Sequence, residues 1–219
     1  MFSLHHHTKV ASFLSIFKWP VNSLTSYKSH YYQTRLNRID SWGKLYKLSS
    51  DSEVVHLSND KHITFFDIPF GVSLNTILKR FGEPRFFLNN TSKIKNHVVC
   101  FYKFNFYGVK ARCEIHFINK TFFLASYFFS RSIEDSSKEI LGIISEKYLD
   151  EKGFEFNNSF QLVDSKGDKL IFEKDVDYII TYFSGNKNLY QAIEDKIKEV
   201  ETVRLSSKQT RESVLKRAL

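Results

Sequence analysis

FDIPFGVSLNTILKRFGEP, residues 66–84, decides the fold. Residues 62–66 predict a strand, whose end at Phe65 and Phe66 runs into Phe70-Gly71. Ser73 then offers an N-cap, and Leu74, Ile77, Leu78 and Phe81 share one helical face. Gly82 supplies a left-handed C-cap, and Pro84 forbids continuation. The unit is a helix laid on the strands that come next. It signals architecture and not catalysis.

Those strands show a period of two. A turn at Tyr107-Gly108 sets Phe104 opposite Ala111, Tyr102 opposite Cys113, Cys100 opposite Ile115 and Val98 opposite Phe117. All lie on the side that the helix covers. A second turn at Asn119-Lys120 is expected to bring Phe122, Leu124, Ser126 and Phe128 to that same side. The other side would then collect Phe101, Lys103, Lys110, Arg112, His116, Phe123, Tyr127 and Phe129. These eight are the candidate binding residues. An apolar face of that size calls for a cover. The protein itself, a partner protein or a nucleic acid would supply it.

Residues 133–185 suggest the same plan. A helix is expected over 133–149, capped at Asp135 or Ser136, with Ile140, Leu141, Ile144 and Tyr148 as its apolar stripe. Strands follow at 160–163, 170–172 and 178–183, with a hairpin turn at Lys166-Gly167. The expected fold class is α+β, a helix plus a three-stranded antiparallel meander, repeated twice around one sheet, with helices on one side. Residues 61–185 form this domain, as units 61–132 and 133–185. Residues 1–60 are an extension that packs in part, with a helix near 31–46. Residues 186–219 are a helical tail with Leu189, Ile193, Ile197, Val200 and Val203 in register and a frayed end.

The residues Gly71, Ser73, Gly82 and Pro84 carry a resemblance over about residues 62–183. The chain is similar to the beta-lactamase-inhibitor-protein-like fold and to small outer-membrane-lipoprotein domains that use one such unit. The second unit has no Gly-x-Pro. The resemblance implies protein binding on a sheet face, no catalysis, and a secreted or envelope location.

Charge is unevenly placed along the chain. Net charge is +8, yet residues 61–132 hold 11 basic and 3 acidic side chains, and residues 133–185 hold 6 and 12. The halves attract each other, or else the surface steers a charged partner. The 42% hydrophobic content supports a packed core. No apolar run is long enough for a transmembrane helix. Residues 10–17 are apolar but lack a clean cleavage site after them, which favours a cytoplasmic location. The histidine triple at 5–7 is too small a set for a metal site. Two cysteines, Cys100 and Cys113, form no zinc pattern and are expected as buried thiols.

No nucleophile elbow, phosphate loop or dinucleotide fingerprint occurs. Glu114 and His116, two apart on one strand, are the one candidate acid/base pair. No cofactor or metal is expected. The function expected is a non-enzymatic protein-interaction module using the aromatic and basic sheet face. The alternative is a single-stranded nucleic-acid-binding protein, with Lys103, Lys110 and Arg112 on phosphates and the aromatics stacking on bases.

Overall fold

The computed structural model describes residues 30–32, 38–50, 55–59, 61–89, 94–106, 109–129, 134–149, 159–174 and 178–218. The apolar segment 10–17, the histidine triple and the turn at Tyr107-Gly108 lie outside them.

Four helices and eight strands follow the order α1 (Trp42–Ser50), β1 (Val55–Asn59), α2 (Leu74–Phe81), β2 (Phe86–Asn89), β3 (His97–Phe106), β4 (Val109–Ile118), β5 (Thr121–Phe129), α3 (Glu134–Tyr148), β6 (Phe160–Asp164), β7 (Lys169–Lys174), β8 (Tyr178–Phe183) and α4 (Lys187–Ala218). The fold is α+β. One sheet runs β1-β6-β7-β8-β5-β4-β3-β2. Seven strands pair antiparallel, and β1, from the expected extension, joins the edge parallel to β6. Among the described residues, no helix is long and apolar enough to cross a membrane.

The caps of α2 form as expected. The Ser73 hydroxyl accepts from the Thr76 N–H, and Gly82 closes the helix at φ 76°. The Tyr102 hydroxyl donates to the Gly82 carbonyl (3.0 Å), tying the stop to β3. The expected strand 62–66 does not form. The chain instead makes a tight turn bridged by Phe65 and Ile68, with Phe66 and Asp67 at φ 51° and 61°. Side-chain packing explains the turn. Phe65 is fully buried, with the rings of Phe66, Phe81, Phe122, Tyr127 and Tyr182 centred 5.2–5.9 Å away. The burial of this hub holds two non-glycine residues in the left-handed region.

Helices cover both faces of the sheet, not one. Ile77 of α2 and Leu141, Ile144 and Tyr148 of α3 pack on one face with Cys100, Cys113, Ile115, Phe117 and Phe172. Cys100 and Cys113 are buried and free. On the other face Ile39, Leu45 and Leu48 from the N-terminal region meet Phe123, Leu124, Ile171 and Phe183, and Ile193 of α4 joins them. Within 31–46, residues 31 and 32 are helical, 38–41 are not, and α1 begins at Trp42. At the other end α4 is one helix, Lys187–Ala218.

The β6–β7 turn locks the two ends of the sheet core. The Asp164 carboxylate accepts from the backbone N–H groups of Ile63, Lys166 and Asp168 at 2.8–3.0 Å. Gly167 crosses against Gly185, where a Cβ on Gly185 would lie 2.2 Å from the Gly167 carbonyl carbon. Backbone cannot yield there as a flexible side chain can. Gly185→Ala should therefore lower the unfolding free energy in urea by about 2 to 3 kcal/mol. A loss below about 0.5 kcal/mol, the range of neutral surface changes, contradicts this packing.

Candidate functional site: a buried polar row beneath the N-terminal segment

Strand register builds the site. The β3–β4 pairing is the expected one, with Phe101 opposite Glu114 and Lys103 opposite Arg112. The β4–β5 pairing is not. A bulge between His116 and Phe117 leaves Phe123 as an extra residue on β5. Phe123 and Leu124 consequently face the same side, and every residue after them is inverted relative to simple alternation. Tyr127 pairs with Cys113 and Phe129 with Ala111, so both lie under the α2–α3 layer and are buried there. They leave the candidate face, and Ser126 and Phe128 replace them.

That face carries a row of side chains in lateral register. Glu114 pairs with Ser126, Ser126 with Thr181, Thr181 with Ile171 and Ile171 with Gln161. Glu114, Ser126, Thr181 and Gln161 are all buried, and the Ser126 and Thr181 hydroxyls lie 3.0 Å apart. His116 and His97 sit beside the row and are also fully buried. His97 Nε2 lies 3.0 Å from His116 Nδ1. His116 Nε2 is 3.4 Å from Glu114 Oε2.

Residues 38–50 close the row. The Arg38 N–H donates to Glu114 Oε2 (2.8 Å), and the Arg38 guanidinium pairs with Glu173. Lys169 Nζ donates to the Ser49 carbonyl at 2.6 Å, fastening the far end of α1. Toward β2, Tyr32 stacks on Phe86 and tilts against Phe101, which is buried. Arg112 is half-buried, with its guanidinium 4.2 Å over the Phe128 ring and its Nε 4.0 Å from Glu114 Oε1. Of the eight candidate residues, Lys103 and Lys110 are exposed and Arg112 partly so. Phe101, His116 and Phe123 are buried under the chain's own cover, and Tyr127 and Phe129 lie on the opposite face.

Burial governs the protonation of the row. It pushes the Glu114 carboxyl up to about 8, against the pull of the Arg38 N–H and of the Arg112, Arg38 and Lys44 charges. Burial holds His116 down at about 3, with Arg38 adding to the effect, and His97 at about 2, with His116 adding to it. At neutral pH the row is accordingly uncharged. Glu114 Oε1, His116 Nε2 and Arg112 Nε have no hydrogen-bond partner among the described residues. An acid beside two imidazoles is a proton-transfer arrangement, but the three side chains are sealed from solvent. Among the described residues no group of His, Cys, Asp or Glu is arranged to hold a metal ion.

His97, Ser126, Thr181 and Arg38 were not among the sequence candidates. His97 shares strand parity with Val99 and Phe101, so it was legible. Ser126 was hidden by the bulge, which nothing in Phe122-Phe123 announces. Comparison with protein-family models, with curated proteins and with solved structures finds no match to this chain.

These groups give stability a maximum in pH. Both histidines bind protons more weakly folded than unfolded, so stability falls as pH drops below their ordinary 6.5. Glu114 binds its proton more tightly folded, so stability also falls as pH rises from 4.5 to about 8. Between 4.5 and 6.5 the two histidines outweigh the one carboxyl. Urea unfolding should show a maximum near pH 6.5, and Glu114→Gln should flatten the decline from there to 8. An unaltered alkaline decline in that variant contradicts a buried, protonated Glu114.

Proposed function

We propose that the chain is a non-enzymatic interaction module that receives an extended, acidic segment of a partner protein along the outer edge of β3. The observation that carries this reading is the mismatch between β2 and β3. Among the described strands, the four residues of β2 pair the ten-residue β3 over Val98–Phe101, and Lys103 beyond them is exposed. The Arg85 N–H donates to the Phe101 carbonyl (2.8 Å), and past it no strand pairs that edge among the described residues. Lys103 has the same backbone orientation as Phe101, toward the edge. Lys103, Lys110 and Arg112 line the adjoining face, so an added strand with acidic side chains would meet three cations.

The sealing of Glu114, His116 and His97 supports a non-catalytic reading, because a substrate atom must reach an acid or base. Burial of Phe101, Phe123, Tyr127 and Phe129 weighs against base stacking on this face. We further infer that α2 with β2–β5 and α3 with β6–β8 are two uses of one helix–meander plan. That keeps the likeness to the beta-lactamase-inhibitor-protein-like fold as a proposal about ancestry of shape.

The test is capture of partner proteins from a cell extract by the full chain. Lys103→Glu with Lys110→Glu should release the proteins held by the unmodified chain. Lys103→Pro, which removes an edge N–H from a strand whose side chain is exposed, should do the same. Unchanged capture by both variants, with unchanged circular dichroism, would sink the proposal.

A further inference from the structure

The helix α4 changes character where it leaves the body. Ile193, Ile197 and Val200 fall on one stripe, and the same stripe continues through Arg204, Lys208 and Arg211. Ile193 is buried against α1 and the sheet, Ile197 is half-buried, and Val200 is exposed. Every residue from 198 to 211 is exposed. The face that docks the helix thus becomes a basic face at the point where docking ends.

Beyond Lys198 the helix runs on for about 30 Å. Packing of an apolar face gives most helices their stability, and residues 198–211 of α4 are exposed throughout. Residues 199–218 carry five basic side chains, Arg204, Lys208, Arg211, Lys216 and Arg217, against three acidic, Glu199, Glu201 and Glu212. Like charges three and four residues apart on a helix repel. Arg204, Lys208 and Arg211 nonetheless gather three cations on one exposed face, which an anionic partner would complement.

We propose that this arm binds the phosphate backbone of duplex DNA, lying in the major groove. The fit has two parts. An α-helix with its side chains is about 10–12 Å across, and the major groove of B-DNA is about 12 Å wide. The major groove of duplex RNA is deep and narrow and does not admit such a helix. The stripe Arg204–Lys208–Arg211 spans about 10 Å along the axis, enough to engage successive phosphates. This surface is separate from Lys103 and Lys110 on β3 and β4, and it does not depend on the partner proposed there.

The experiment is fluorescence anisotropy of a labelled mixed-sequence duplex DNA titrated with the full chain, repeated over a salt series. Duplex RNA and polyglutamate serve as competitors. The unmodified chain should bind the DNA with a steep salt dependence. Replacing Arg204, Lys208 and Arg211 together by Gln should weaken binding at least tenfold and reduce the log–log salt slope by roughly 3. Three results would overturn the proposal. These are no anisotropy change at low salt, a triple variant that binds like the unmodified chain, and displacement by duplex RNA or polyglutamate as effective as by unlabelled DNA. The three side chains are exposed, so the variant retains the fold, and an unchanged circular dichroism spectrum verifies it.

Discussion

The extra residue Phe123 decides which side chains meet on each face of the sheet. Without it, β5 would send Tyr127 and Phe129 outward and Ser126 inward. With it, Tyr127 packs against Phe65 and Phe129 joins the α2–α3 core, while Ser126 enters a row with Glu114 and Thr181. Sheet register is unforgiving in this respect, because one residue of slip inverts every side chain after it. The aromatic content of the helix-covered face and the polar content of the other therefore share one cause.

A polar row on a sheet face has two physical fates. It stays in water, or it is buried with its hydrogen bonds supplied. Here it is buried with part of that supply, the Arg38 N–H on Glu114 and the Ser126–Thr181 hydroxyl pair, while Glu114 Oε1 and His116 Nε2 have no hydrogen-bond partner among the described residues. Glu114 avoids an uncompensated buried charge by keeping its proton, and the histidines by shedding theirs. The N-terminal segment is consequently a layer of the fold. Its departure would expose Leu124, Ile171 and Phe183 along with the polar row. The two surfaces proposed for partners lie at the margins: the outer edge of β3 at Lys103 and the arm of α4.

Much of this was legible in the sequence. The α2 caps at Ser73 and Gly82 follow from residue chemistry alone, and the β3–β4 register follows from alternation over ten residue pairs. The strands β6, β7 and β8 were marked by β-branched and aromatic runs between turn residues. Three features resisted. The turn around Phe65–Ile68 depends on Phe65 becoming a hub for five rings, four of them distant in sequence. The bulge at Phe123 is set by packing on both faces at once, and local letters are silent about it. The cover by residues 38–50 rests on contacts with residues far along the chain, among them the Arg38 N–H reaching Glu114 across 76 residues. Of the eight candidate site residues, the three cations kept their accessible face in full or part because their strands precede the bulge. The aromatics did not, since two follow it and the others are what the cover packs upon.

Residue-resolved hydrogen exchange at the Arg38 amide tests the central claim most directly, because that N–H is the clasp between the N-terminal segment and the buried row. If the segment is a layer of the fold, this amide exchanges as slowly as those of β4 and β5, at near-neutral pH where the row is uncharged. Exchange at the rate of an unstructured chain, with β4 and β5 still protected, would contradict the account.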